Sequence, residues 1–331
     1  MRRICVLPGD GIGPEVVDCA VRVLKAASGD LEFVSAEIGQ AAVRRTGNPL
    51  PEDALELMRS CDSCLFGAVT SSDAPDYESP VLKFRKALDL YANIRPIKSL
   101  VSAPGRPPID VVIVRENSEG MYTQDEVFDD KGVTTMRRVT KRACERIVSH
   151  SIDYALRTGR KSITCVHKAN VLKASDGLFL TVFRDFMKAK GKDLTASEQL
   201  VDSAAMKLVT EPSAFDVIVT LNLYGDILSD VAAGVAGGLG FAPSGNIGPR
   251  YSVFEPAHGS APDIAGKGSA NPTAAILAGA MMLDHIGLIK EADAIDRAVA
   301  AFYSSGHLTS DLGGRHGSAS FTDHVLKEIR L

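Results

Sequence analysis

Short apolar runs of strand character alternate with helix-patterned segments along nearly the whole chain. That alternation is the strongest constraint on the fold, because parallel strands need long crossover connections and helices usually supply them. Ile4-Cys5-Val6-Leu7 reads as a buried strand that stops at Pro8-Gly9. The helix after it has Pro14 near its first turn and Val16, Val17, Ala20, Val21 and Leu24 on one face. Cys64-Leu65-Phe66, Val111-Val112-Ile113-Val114, Ile163-Thr164-Cys165-Val166 and Val217-Ile218-Val219-Thr220 repeat the strand pattern. The sequence thus predicts an α/β fold, a mostly parallel sheet with helices on both faces, and ligands at the carboxyl ends of its strands.

With 331 residues the chain has room for about two domains. Ser102–Pro108 is loop-like and ends a first lobe, and the Gly- and Pro-rich stretch Gly237–Gly248 returns the chain to it. The expected lobes are 1–98 plus 239–331, and 99–238, the second carrying an extended, charged arm at about 119–139. Lys plus Arg is 37 against 41 Asp plus Glu, a balance that argues against a nucleic-acid or anionic-membrane partner. No apolar run approaches the ~18 residues of a membrane span, and no signal-peptide pattern opens the chain, so a cytoplasmic location is expected. The six cysteines, at 5, 19, 61, 64, 144 and 165, sit in apolar surroundings and read as reduced thiols. Cys61-Asp-Ser-Cys64 lacks the second pair that a zinc site needs.

Several segments carry chemistry. Gly9-Asp10-Gly11-Ile12-Gly13 joins the first strand to the first helix, and it reads equally as a dinucleotide turn or a plain structural turn, since its spacing departs from G-x-G-x-x-G. In Gly225-Asp226-Ile227-Leu228-Ser229-Asp230, helical spacing puts Asp226 and Asp230 on one face. Two carboxylates that close repel unless a cation lies between them, and hard oxygen ligands suit Mg²⁺ or Mn²⁺. The alternative is a solvated acidic face, against which Leu223, Ile227, Leu228 and Val231 argue for partial burial. Asp202 is a candidate third ligand. Arg85, Arg95 and Arg115 are candidates for clamping a di- or tricarboxylate, though each alone also reads as a surface residue. Lys168 follows the strand at 163–166 and is a candidate base; Tyr122 is a candidate proton donor or a packing residue. The irregular segment 255–272 is long enough to be functional, and its small residues permit close approach to a ligand.

Together these residues resemble the β-decarboxylating dehydrogenases, the family of isopropylmalate, isocitrate and homoisocitrate dehydrogenases. Six motifs occur in the family's order: the first glycine turn, Leu90-Tyr-Ala-Asn-Ile-Arg-Pro96, Val114-Arg-Glu-Asn-Ser-Glu-Gly120, His167-Lys-Ala-Asn-Val171, Gly225–Asp230, and the 255–272 loop. The resemblance runs on to Asp311-Leu-Gly-Gly314. It implies a two-lobed isopropylmalate/isocitrate dehydrogenase-like fold distinct from the Rossmann plan. It implies a homodimer with shared active sites, or a tetramer built from such dimers. Arg85, Arg95 and Arg115 would hold the malate carboxylates, with Asn170 and Val171 also at the substrate. Asp226 and Asp230, with Asp202 from a second subunit, would hold Mg²⁺ or Mn²⁺. Lys168, also from the second subunit, would act as base, and Tyr122 would protonate the enolate.

The resemblance further implies an NAD site formed by Ile12, Glu78, Glu255, His258, Gly259, Ser260, Ala261, Asp263, Ile264, Asn271 and Asp311. Asp263 matches the acid that accepts ribose hydroxyls in NAD users, where NADP users place Lys followed by Tyr. A carboxylate there repels a 2′-phosphate, so NAD is expected. Ser79, Val81 and Leu82 match the segment that recognises the substrate's variable group. Apolar Val81 and Leu82 suit the isopropyl group of 3-isopropylmalate. Ser79, Tyr77 or Lys83 meeting a distal carboxylate would instead suit homoisocitrate, and isocitrate is a third reading. A catalytically silent regulatory paralogue is disfavoured because Lys168, Tyr122, Asp202, Asp226 and Asp230 are all present.

Overall fold

Ile4, Cys5, Val6 and Leu7 are all buried, as a strand covered on both faces requires. They form the middle of β1 (Arg2–Gly9) in the computed structural model, which describes residues 1–70, 79–101 and 107–329. At Gly9 the backbone takes φ +74°, and a Cβ there would lie 1.9 Å from the Ala68 carbonyl oxygen, so only glycine fits this turn. The chain continues through α1 (Gly13–Ala27), β2 (Leu31–Ser35), α2 (Gln40–Thr46), α3 (Glu52–Ser60), β3 (Ser63–Ala68) and α4 (Pro80–Ala87). Pro in the first turn of α1, Glu15 beside it and Lys25 in the last turn all suit a helix whose buried face is Val16, Val17, Ala20, Val23 and Leu24.

A second unit, Leu90–Ala236, follows. Its elements are β4 (Ala92–Lys98), β5 (Asp110–Glu116), β6 (Glu126–Asp129), β7 (Gly132–Thr135), α5 (Lys141–Arg157), β8 (Ser162–His167), α6 (Ser175–Lys190), β9 (Thr195–Leu200), α7 (Val201–Thr210), β10 (Val217–Thr220) and α8 (Asn222–Ala236). Its strand order is β4-β5-β10-β8-β9, antiparallel between β4 and β5 and parallel elsewhere. Ile97, Val111, Ile113 and Ile218 pack with Ala204, Leu208, Leu228 and Ala232 of α7 and α8. Val112 and Val114 are equally buried, and strand alternation turns them to the opposite face, where α5 packs against β5. The sequence reading ended the first lobe at residue 98; in the structure β4 pairs with β5 along its full length and groups with the second unit.

The chain returns to the first unit, Met1–Asp89 with Gly237–Leu331, through β11 (Pro243–Ile247), β12 (Ser252–Pro256), α9 (Thr273–His285), α10 (Ile289–Ser304) and α11 (Ser318–Glu328). There the order is β2-β1-β3-β12-β11, parallel except for the β11–β12 pair. The expected mostly parallel α/β architecture is present, with all five anticipated strands. In the segment expected as an arm, β6 and β7 form an antiparallel hairpin whose Val127, Phe128 and Val133 are exposed. Among the described residues no helix is long and apolar enough to cross a membrane.

Candidate active site

The densest charged constellation lies in the second unit, where β4 and β5 meet α8. Arg115 is the last-but-one residue of β5, and its side chain is 1% exposed. Its Nη1 donates to Asp226 Oδ1, and its Nε and Nη2 donate to Asn222 Oδ1 at 3.0 and 2.7 Å. Tyr122, whose ring lies 5.0 Å from the Arg115 guanidinium carbon, donates its hydroxyl to Asp226 Oδ2. Arg95 on β4 reaches the same helix: its Nη1 lies 3.3 Å from Asp226 Oδ1, 3.6 Å from Asp230 Oδ1, and donates to Ser229 Oγ at 2.6 Å. Gly225 makes this possible, since a Cβ there would come within 2.7 Å of the Arg115 side-chain stem. Two guanidiniums thus hold two carboxylates one helical turn apart.

Protonation follows from this setting. Burial pushes the Asp230 carboxyl up, Arg95 pulls it back, and the neighbouring Asp226 adds to the rise. Burial also raises the Tyr122 phenol above its ordinary value of 10.0, with its hydrogen bond to Asp226 adding and Arg115 opposing. Tyr122 therefore keeps its proton throughout the neutral range.

Lys168 and Asp202 form a separate pair in this unit. Lys168 Nζ donates to Asp202 Oδ1 at 2.7 Å, and that bond holds the Asp202 carboxyl below its usual range. The backbone N–H of Lys168 is fixed by the fully buried Asp176 at 2.7 Å, which also takes Arg137 Nη1 at 2.6 Å. Asn170 and Val171 are exposed on the following turn. Among the described residues no three His, Cys, Asp or Glu side chains are placed to hold a metal ion. Within one chain Asp226 and Asp230 come together, and Asp202 bonds Lys168 instead.

The first unit is built differently, largely from main chain. The glycine turn docks on the 255–272 loop: Ile12 N donates to Ser260 O at 2.8 Å, and at Gly11 (φ +60°) a Cβ would lie 1.9 Å from that same oxygen. Thr70 Oγ1 donates to Ser260 Oγ at 2.9 Å, while Asp10 accepts from the backbone N–H groups of Gln40 and Thr70. Asn271 donates to Asp311 at 3.0 Å. His258 donates from Nδ1 to Gly259 O when neutral, the form its burial favours, and its buried Nε2 has no partner. Ala261 is held at φ +37°, and Asp263 and Ile264 stand exposed on a short turn. Glu255 accepts from Asn246 at 2.7 Å and pairs with Arg85 at 3.1 Å, both side chains being about nine-tenths buried. Ser79 precedes α4, on which Val81 and Leu82 are half-buried. Glu78 and Tyr77 lie outside the described residues.

Sequence reasoning missed Asn222, Ser229, Asn93 and Thr70. The first two were within reach: Asn222, Asp226, Ser229 and Asp230 sit at i, i+4, i+7 and i+8, one stripe of α8. Asn93, which accepts from Arg95 Nε at 2.8 Å, shares its strand face at a spacing of two. Thr70 had no local signal.

Residues 3–329 match the isocitrate/isopropylmalate dehydrogenase family. The chain belongs to this family. It is 46% identical over its full length to a 3-isopropylmalate/3-methylmalate dehydrogenase of Methanocaldococcus jannaschii, covering 99% of that protein. It is 47% identical to an isocitrate/homoisocitrate dehydrogenase of Thermus thermophilus, covering 99% of this chain and 98% of the relative. The crystal structure of isocitrate dehydrogenase from Methylococcus capsulatus superposes with a TM-score of 0.96 at 42% identity, with both chains covered completely. The chain is thus a β-decarboxylating dehydrogenase of the isocitrate/isopropylmalate type.

Both groups that this family implies find suitable residues. Mg²⁺ is commonly held by one or two carboxylates, with substrate and water oxygens completing the shell. Asp226 and Asp230 provide those two carboxylates in one place. For a dinucleotide, the tight Gly11–Ser260 approach and the unpartnered, buried His258 Nε2 fit a ligand laid along the 255–272 loop.

Proposed function

We propose that this enzyme oxidatively decarboxylates a 3-substituted malate with NAD and Mg²⁺ or Mn²⁺, converting (2R,3S)-3-isopropylmalate to 4-methyl-2-oxopentanoate and CO₂. The observation that carries the choice of substrate is the face of α4. On helical spacing Val81 and Leu82 lie within about 60° of Arg85, whereas Lys83 falls on the far side. The face of α4 that carries Arg85 is thus apolar at Val81 and Leu82, which suits a branched alkyl group better than a third carboxylate.

Arg95 and Arg115 bind the malate carboxylates, with Arg85 assigned to the same substrate by its place in the family motif. A divalent cation held by Asp226 and Asp230, with Asp202 from a second copy, would polarise the C2 hydroxyl and stabilise negative charge on its oxygen after decarboxylation. NAD along the 255–272 loop, with Asp263 toward its ribose, would accept the hydride. Lys168 of the second copy takes the C2 hydroxyl proton as hydride leaves C2. The resulting β-keto acid loses CO₂, the C–C electron pair becoming the enolate. Tyr122, protonated across the neutral range, donates its proton to C3. Exposed Val127, Phe128 and Val133 on the hairpin, and Met206, Val209 and Ile227 on α7 and α8, support a homodimer in which such sharing occurs.

Homoisocitrate is the second reading, supported by relatives of that name at similar identity. The deciding measurement is kcat/KM for 3-isopropylmalate, homoisocitrate and isocitrate, each with NAD and with NADP. The expected optimum is 3-isopropylmalate with NAD. A preference of about tenfold or more for homoisocitrate, a margin that one pocket contact can supply, overturns the substrate choice.

A further inference from the structure

Arg115 is buried, and what orients it is a neutral side chain. Asn222, 2% exposed at the start of α8, accepts from both Nε and Nη2 of Arg115 through one oxygen. Its own amide is not free to turn over. Nδ2 donates to the Glu119 carbonyl at 2.9 Å, so the oxygen must face the guanidinium. Glu119 is itself pinned, its carboxylate accepting from Thr140 N at 2.6 Å and from Thr140 Oγ1 at 2.9 Å at the head of α5. The bidentate grip takes Nε and Nη2 and leaves Nη1 to Asp226.

A carboxylate at position 222 would make the same two acceptor contacts and bind the guanidinium more tightly. It would also neutralise Arg115 from behind. Asp226 already supplies one counter-charge, and a second would turn the balanced cluster net negative and repel an anionic substrate. An amide fixes the plane of the guanidinium and leaves its charge in place.

We propose that Asn222 is a positioning residue for substrate binding, holding Arg115 through an uncharged acceptor so that the guanidinium presents a fixed and still cationic edge to a substrate carboxylate. This rests on the reading of Arg115 as a carboxylate-binding residue. No role in the transfer of protons or hydride is assigned to Asn222.

The test compares full-length wild type with N222D, N222S and R115K, using the hydroxy acid that the wild type turns over best. N222D keeps both acceptor contacts to Arg115, adds charge and gives up the donation to the Glu119 carbonyl, a loss that N222S shares without the charge. The N222D KM for the hydroxy acid should rise about tenfold or more, the scale of losing one charge-assisted contact, while KM for NAD stays within about twofold. Rising salt should also lower its KM relative to that of the wild type, because the added carboxylate repels the anionic substrate and salt screens that repulsion. N222S keeps a neutral acceptor and should fall between the two, and it carries the same comparison if N222D does not fold. A purely structural role predicts that both Michaelis constants move together and that the ionic-strength dependence is unchanged, and either result overturns the proposal. R115K separates the two levels. If R115K raises the hydroxy-acid KM and the Asn222 variants do not, the positioning role fails alone; if R115K leaves that KM unchanged, the reading beneath it fails.

Discussion

The glycine turn on its loop and the Arg–Asp constellation on α8, the two regions proposed to hold ligands, are built from opposite materials. Around Ser260 a main-chain N–H and carbonyl are brought close because Gly11 has no side chain, and Thr70 adds one hydroxyl contact. Around Asp226 they are long charged side chains, two of them more than nine-tenths buried, each needing its opposite charge. The first arrangement is sensitive to added volume and tolerant of charge. The second is sensitive to lost charge. The two regions should therefore respond to different classes of substitution.

The largest effect is expected at Asp226. Asp226→Asn keeps the shape but removes the charge that Arg95, Arg115 and the Tyr122 hydroxyl share. Breaking a buried pair costs about 3–5 kcal/mol, and because the Asp226 side chain is 36% exposed we expect less than that, about 2–3 kcal/mol. Turnover should fall by about 10³-fold or more, since the residues proposed to bind substrate and to donate the proton converge on this carboxylate. Chemical denaturation and steady-state turnover on the same preparation check both. A loss of turnover below about tenfold, the equivalent of only 1.4 kcal/mol, would remove Asp226 from the centre of the site.

The contrast also explains what could be read from the chain beforehand. The strands were legible because strands covered on both faces must be continuously apolar, as 4–7 and 111–114 are. Asp226 and Asp230 were legible because helical spacing alone pairs them. The pairing of Arg85 with Glu255, 170 positions away, was not, because it depends on how α4 and β12 meet. Nor was the docking of Ile12 on Ser260, since backbone hydrogen bonds leave almost no trace in residue identity. Asn222 lay between these cases: on the right helical stripe, but as a neutral amide carrying no signal of its own.

Two glycines sharpen the main-chain half of the comparison. Gly11→Ala places a methyl group against the Ser260 carbonyl and forces a side chain into φ +60°. It should cost roughly 1–3 kcal/mol and raise KM for NAD while leaving the hydroxy-acid KM alone. Gly259, one residue from Ser260, has no atom within 4 Å of a Cβ and no positive φ. Gly259→Ala should therefore change stability by no more than about 0.5 kcal/mol. Thermal melting and NAD titration of the two variants settle it: a benign Gly11→Ala would show that the loop is not held by this close approach.

The smallest effect is expected at the edge of the substrate, on α4. Val81 stands one helical turn before Arg85 and is half-buried, so in the proposed reading it would meet the substrate's variable group through surface contact and not through a fixed charge. Fully burying an isopropyl group contributes about 2–3 kcal/mol, and Val81 is only part of the wall, with Leu82 the remainder. Val81→Asn replaces apolar contact with an amide that an alkyl group cannot satisfy. The same amide is a hydrogen-bond donor toward a distal carboxylate. The variant should lose about tenfold in kcat/KM on 3-isopropylmalate, the usual scale of discrimination by one small group, and lose less on isocitrate. The two substrates act as each other's control, because general damage to the site would depress both equally. Parallel losses would place the variable group elsewhere and leave Val81 as packing for α4. A gain on homoisocitrate that exceeds the gain on isocitrate would instead show that the residue at 81 faces a longer acidic side arm.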